Sequence, residues 1–141
     1  MTEPKPAFTT DRVALAWAAI ALVMMLVIVW AAMQVNDPLS AFVHTDKMRH
    51  ILAFGALGLC AAFMPTTKWR IVGLATVITF GMLVEIIQIP VPDRTASLSD
   101  LLASVIGSFG GFGLGAAATT VLELVRARTN GQPQPSPSQR D

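Results

Sequence analysis

Charge is what this chain lacks most. Asp, Glu, Lys and Arg make up 13% of its 141 residues, against about 25% in an average soluble domain. The few basic residues are scattered and the net charge is only +1, which points to no nucleic-acid partner. Cysteine is nearly absent too. Cys60 is the single one, so no disulfide forms within the chain, and its apolar surroundings mark it as a small core hydrophobe. No CxxC or Cys/His spacing offers a zinc site. No serine or cysteine stands out as a nucleophile, although Ser97 and Ser99 lie near other polar residues. Neither an internal repeat nor an interrupted helix is present, which argues against a carrier acting alone.

What fills the chain instead is apolar. Hydrophobic residues make up 53% of it and the mean hydropathy is +0.59. These values describe an integral membrane protein of the size of one small bundle. Val13 to Met33 is an uncharged run of 21 residues, enough for a hydrocarbon core of about 30 Å. It is longer than the core of a cleaved signal, and AAMQVNDP is a poor cleavage site, so it reads as an anchor. Asn36-Asp37-Pro38 then signals a turn, in a loop where His44 reads as an exposed polar residue rather than a ligand. Thr45 is suited to cap a helix that starts at Asp46, whose charge favours the first turn. That helix runs to about Met64 and stops at Pro65. Its charge-free part, residues 51–64, is short for a span, so His50 and Arg49 must lie near the membrane boundary, with Lys47 and Arg49 reaching outward. Pro65 to Arg70 reads as a tight loop with Trp69 at the interface. A third span covers residues 71–89 and ends at Pro90 and Pro92. Ser97 opens the fourth, at about 98–124, with Asp100 placed as the partner residue of a capping box.

The expected fold is therefore all-α: an integral membrane bundle of four transmembrane helices over residues 13–125, with a flexible tail at 1–12 and a disordered one at 126–141. Lys5, Arg12, Lys68, Arg70, Arg126, Arg128 and Arg140 fall on one side, and Lys47, Arg49 and Arg94 on the other. This bias predicts cytoplasmic N and C termini. With four spans, the 34–50 and 90–100 segments share a side whatever the absolute orientation.

That parity matters because the polar residues of the spans collect there. Membrane helices rarely keep ionisable groups, and those they keep usually face a bundle interior or a water-filled cavity. Asp46, His50 and Phe54 share one helix stripe, and Glu85 and Gln88 share another. Glu85 lies about 6 Å below Ile89 along the axis. Asp100 and Ser104 form a third pair. A second feature is the stripe Ala103, Gly107, Gly111 and Gly115, which recurs every four residues. Such stripes let membrane helices approach closely. Packing within the chain is its first reading, and a homodimer the alternative.

The order Asp46-Lys47-x-x-His50, Glu85-x-x-Gln88, Arg94, Ser97, Asp100 and Gly107 resembles the VanZ-like family of small bacterial membrane proteins. The resemblance covers about residues 44–115 and three helices. Ser104 stands where the family has Asn or Asp, and a serine cannot carry a negative charge. The resemblance implies a place in the bacterial inner membrane and cell envelope, and a link to tolerance of the glycopeptide teicoplanin.

Four functions fit the polar collection. It can be a network that only fixes helix packing. It can bind an anionic lipid headgroup or a lipid-linked cell-wall intermediate, with Arg94 clamping the acidic group and Lys47 and Arg49 adding charge. It can belong to a membrane-embedded enzyme, with His50 and Asp46 or Glu85 as base and orienter, or, least well, to a transporter. The same donors suit a divalent metal, though no ligand spacing calls for one and no cofactor is expected. The lipid bilayer is the expected partner throughout.

Overall fold

The structure, a computed structural model, describes residues 8–34, 46–91 and 97–130. These form four helices and no strand: α1 (Phe8–Ala32), α2 (Asp46–Ala62), α3 (Thr67–Gln88) and α4 (Leu98–Asn130). Three of them, α1, α3 and α4, are long and apolar enough to cross a membrane. At 17 residues, α2 measures about 26 Å and is the exception.

Several helix ends differ from the sequence expectation. α1 begins at Phe8, taking residues 8–12 out of the expected tail. α2 ends at Ala62, and the turn after it is tied by Arg70 Nε donating to the Met64 carbonyl at 2.9 Å. α3 begins at Thr67 rather than Ile71, because the Thr66 side chain accepts the Trp69 amide and caps the helix. A capped turn of helix thus replaces most of the expected 65–70 loop. α4 continues through Arg126 and Arg128 to Asn130, so part of the expected C-terminal tail is helical.

The helices alternate in direction. His50 lies beside Ser104 and Glu85, so the starts of α2 and α4 meet the end of α3. At the other end, Gly73 of α3 adjoins Ala61. Cys60 reaches Met24 of α1, with its sulfur 3.9 Å from the Met24 sulfur, and Trp17 stacks on Phe63 with ring centroids 5.0 Å apart. α2 is the hub. It touches all three other helices, and α1 reaches α2 and α3 but not α4.

The closest pair is α2 with α4, and glycine makes it possible. A Cβ on Gly111 would overlap the Gly55 backbone, one on Gly58 the Ser108 backbone, and one on Gly107 the Ile51 backbone. A Cβ on Gly115 would lie 2.6 Å from the Ala62 Cβ. Ala103, Gly107, Gly111 and Gly115 are all buried, and the three glycines face α2 of the same chain. Phe54, Leu57, Val77 and Val84 form the centre, with Met24, Met25 and Ile28 of α1 packed against it. The exterior is apolar: Leu15, Leu26, Trp30, Ile71, Ile86, Ile106 and Leu114 are all more than half exposed. An outer surface of this kind suits acyl chains, not water.

Among the described residues, cavities lie on both sides of the contact between α1 and the other helices. One, of about 510 Å³, lies toward the α2–α3 turn and is lined by apolar residues such as Leu22, Leu57, Trp69 and Val77. The other, of about 320 Å³, lies at the opposite end, beside the polar residues of α2 and α3.

Candidate functional site

The buried polar residues gather at the end of the bundle where α2 and α4 begin and α3 finishes. Among the described residues, six are buried: His50, Glu85, Gln88, Asp100, Ser104 and Ser108. Each is put there by helix pitch. His50 sits one turn after Asp46, Glu85 and Gln88 share one face of α3, and Asp100, Ser104 and Ser108 repeat every four residues along α4.

His50 is the centre of the arrangement. Its Nδ1 lies 2.9 Å from Ser104 Oγ and 3.8 Å from Glu85 Oε1. The imidazole stacks on Phe54, with the rings 6.0 Å apart and nearly parallel. Ser104 Oγ in turn donates to the Asp100 carbonyl at 3.0 Å, and Ser108 Oγ to the Ser104 carbonyl at 2.7 Å. These serines satisfy themselves on their own helix, as buried hydroxyls in membrane-type helices commonly do.

Glu85 performs a task that local sequence assigns to another residue. The Ser97 amide donates to Glu85 Oε2 at 2.9 Å, whereas a capping box within α4 would have used Asp100. Ser97 itself caps α4 as expected, its Oγ accepting the Ser99 amide at 3.2 Å. The carboxylate of α3 thus ties the start of α4 to the end of α3. Its second oxygen, Oε1, is buried with no hydrogen-bond partner among the described residues. The His50 ring 3.8 Å away is its polar neighbour.

Asp46 and Arg49 lie at the edge of the cluster, 3.4 Å apart. Both line the smaller cavity together with His50 and Gln88. The remaining wall is apolar: Val23, Met24, Val27 and Ile28 of α1, with Phe54 and Val84 opposite. The cavity wall is therefore almost entirely apolar, with a small polar contribution from Asp46, Arg49, His50 and Gln88 at the end of the bundle.

Of the residues singled out in the sequence, His50, Glu85, Ser97, Asp100 and Ser104 come together around one point, and Asp46 and Gln88 reach it through the cavity. Lys47 is exposed and takes no part in the cluster. Arg94 lies outside the described residues, as do His44 and Thr45. Ser108 and the lining role of Arg49 were missed. Ser108 could have been found as the next member of the Asp100–Ser104 series, one turn deeper. Arg49 is three residues from Asp46, so helix pitch alone already places it on the same face.

The geometry does not form a nucleophile–base–acid relay. Such a relay places the nucleophile and the acid on opposite ring nitrogens, whereas Ser104 and Glu85 both face Nδ1. Among the described residues, no group of three or more His, Cys, Asp or Glu is placed to hold a metal ion. Comparison of the chain with family models, with curated proteins and with solved structures finds no match in any of the three.

Proposed function

We propose that this chain is a VanZ-like four-span protein of the bacterial inner membrane, with both termini cytoplasmic, whose extracytoplasmic polar site binds the headgroup of an anionic membrane lipid or a lipid-linked cell-wall intermediate. The observation that carries the reading is the apolar cavity with polar side chains at one end. Asp46, Arg49, His50 and Gln88 line its polar end while α1 supplies an oily wall. An acyl tail matches the apolar wall, and a hydrophilic head matches the polar side chains at its end. A purely structural network would leave neither a cavity nor an orphaned carboxylate oxygen at Glu85.

Packing supports the reading of α2 as a fourth span. α2 is short, but it lies along α4 from Ile51–Gly107 to Ala62–Gly115, so it crosses whatever depth that stretch of α4 crosses. Burial against glycine, rather than its own length, holds it there. The positive-inside bias supplies the orientation. The link to teicoplanin tolerance comes from the family resemblance alone. An enzyme using His50 and the carboxylates is the second reading, favoured by the position of His50 on the cavity wall.

Native mass spectrometry of the protein extracted with its own lipids tests the binding reading. Wild type and Arg126→Ala should retain an anionic lipid, and Glu85→Ala and Arg94→Ala should lose it at equal protein level. Equal retention by all four proteins would refute the site.

A further inference from the structure

We infer that the ligand is held as an ion pair with a protonated His50, so that binding an anionic, phosphate-type headgroup takes up one proton at His50 Nε2, with Glu85 as the buried counter-ion. This rests on the binding reading above and adds the chemistry by which the site recognises its ligand.

The hydrogen bonds around Ser104 assign the ring. A serine hydroxyl has one hydrogen to donate. Ser104 Oγ gives it to the Asp100 carbonyl 3.0 Å away. Ser104 can then only accept from His50 at 2.9 Å, so Nδ1 carries the ring hydrogen. Glu85 Oε1, 3.8 Å from the same nitrogen, favours that hydrogen as well. In the neutral ring the bare nitrogen is therefore Nε2.

The direction of that nitrogen follows. Ser104 and Glu85 face the Nδ1 edge, and neither lines the cavity, whereas His50 does. The edge of the ring turned to the cavity is the opposite one, which carries Nε2. Phe54 holds the ring plane by stacking.

The charges around the ring decide what Nε2 does. From α3, Glu85 approaches Nδ1 and Gln88 is neutral. From α4 come Asp100, which is buried, and the neutral Ser104. From α2 come Asp46 and Arg49, which pair with each other at 3.4 Å. α1 presents only apolar residues to this cavity. A bare Nε2 repels an anionic oxygen, since both are acceptors. One proton taken from the buffer onto Nε2 turns it into a charge-assisted donor. Glu85 Oε1, otherwise without a hydrogen-bond partner among the described residues, then has an imidazolium beside it. No other bond forms or breaks.

The phosphate-type oxyanion could be carried by a lipid or be free in solution, and the apolar wall of α1 selects the lipid. The test uses full-length protein with 15N-labelled histidine in phosphatidylcholine nanodiscs. His44→Asn leaves His50 as the single histidine, because the chain has two. Without added ligand, nitrogen NMR should show a hydrogen on Nδ1 and none on Nε2. Phosphatidic acid should produce a second N–H signal, at Nε2, and inorganic phosphate should not. Glu85→Gln, which keeps an acceptor for the Ser97 amide, should bind phosphatidic acid at least tenfold more weakly and leave Nε2 bare. A free protein with the hydrogen on Nε2 overturns the inference. So does phosphatidic acid that is retained in native mass spectra while Nε2 stays bare, and that result leaves the binding reading standing. Failure of the wild type to retain phosphatidic acid or any other anionic lipid overturns both. An equal response to inorganic phosphate overturns the choice of a lipid.

Discussion

Replacing Gly107 with alanine should damage both the packing of the bundle and the polar site, for one geometric reason. A Cβ at this position would lie 2.9 Å from the Ile51 Cα and 3.0 Å from its carbonyl carbon, and closer still to the carbonyl oxygen. All three are backbone atoms and cannot rotate away. Ordinary contact for a Cβ begins at 3.4 Å, so clearing the Ile51 Cα alone takes about 0.5 Å, the difference between 3.4 and 2.9, and clearing the nearer oxygen takes more, in an interior with no slack to absorb it. His50 precedes Ile51 and moves with it. The 2.9 Å contact from His50 to Ser104 then opens to about 3.4 Å or more, beyond the usual 2.7–3.2 Å range. Overpacking of this kind costs about 1–3 kcal/mol, and the weakened hydrogen bond adds up to about 1 kcal/mol, for about 1–4 kcal/mol in all. Gly110 and Gly113 are the controls, since nothing lies within 4 Å of a Cβ at either. Alanine there should change stability by no more than about 0.5 kcal/mol. Reversible unfolding in mixed micelles, followed by tryptophan fluorescence, measures all three. A Gly107→Ala protein as stable as Gly110→Ala would show that α2 and α4 do not approach through this glycine.

Three further outcomes are expected. A double-mutant cycle on His50→Phe and Ser104→Ala should give a coupling of about 0.6 kcal/mol, and no more than about 1.7 kcal/mol, the range for hydrogen bonds between membrane helices; a coupling of zero would mean that the two side chains do not interact. A reporter fused after Asp141 should act as cytoplasmic and one inserted after Asp37 as periplasmic, and the reverse pattern would invert the proposed orientation. Loss of lipid in Glu85→Ala and Arg94→Ala but not Arg126→Ala, read by native mass spectrometry, separates a built site from general charge effects.

Part of the site was legible in the chain because helix pitch and crossing parity are local quantities. Four residues separate Asp46 from His50 and Asp100 from Ser104, and three separate Glu85 from Gln88; each spacing puts its pair on one face. Two antiparallel helices, α2 and α3, then bring the start of α2 and the start of α4 to one end. The glycine stripe was legible for the same reason, as a four-residue repeat. Helix ends were less so. Thr66 captures the Trp69 amide and starts α3 early, and a polar, proline-containing stretch such as PTTKWR reads as a loop until the cap is seen.

Composition and periodicity need no knowledge of neighbours, and they suffice to make the chain helical and apolar and to put Asp46 with His50, Glu85 with Gln88 and Asp100 with Ser104 on shared faces. Only the tertiary structure decided who meets whom. It turned the glycine stripe toward α2 of the same chain. It brought Glu85 to the Ser97 amide in place of Asp100. It set Ser104 against the Nδ1 of His50 and opened a largely apolar cavity, edged by His50 and Gln88, beside α1. These are distances between helices, set by how closely the backbones approach and by which hydrogen-bonding group arrives first, and no spacing along a single helix encodes them.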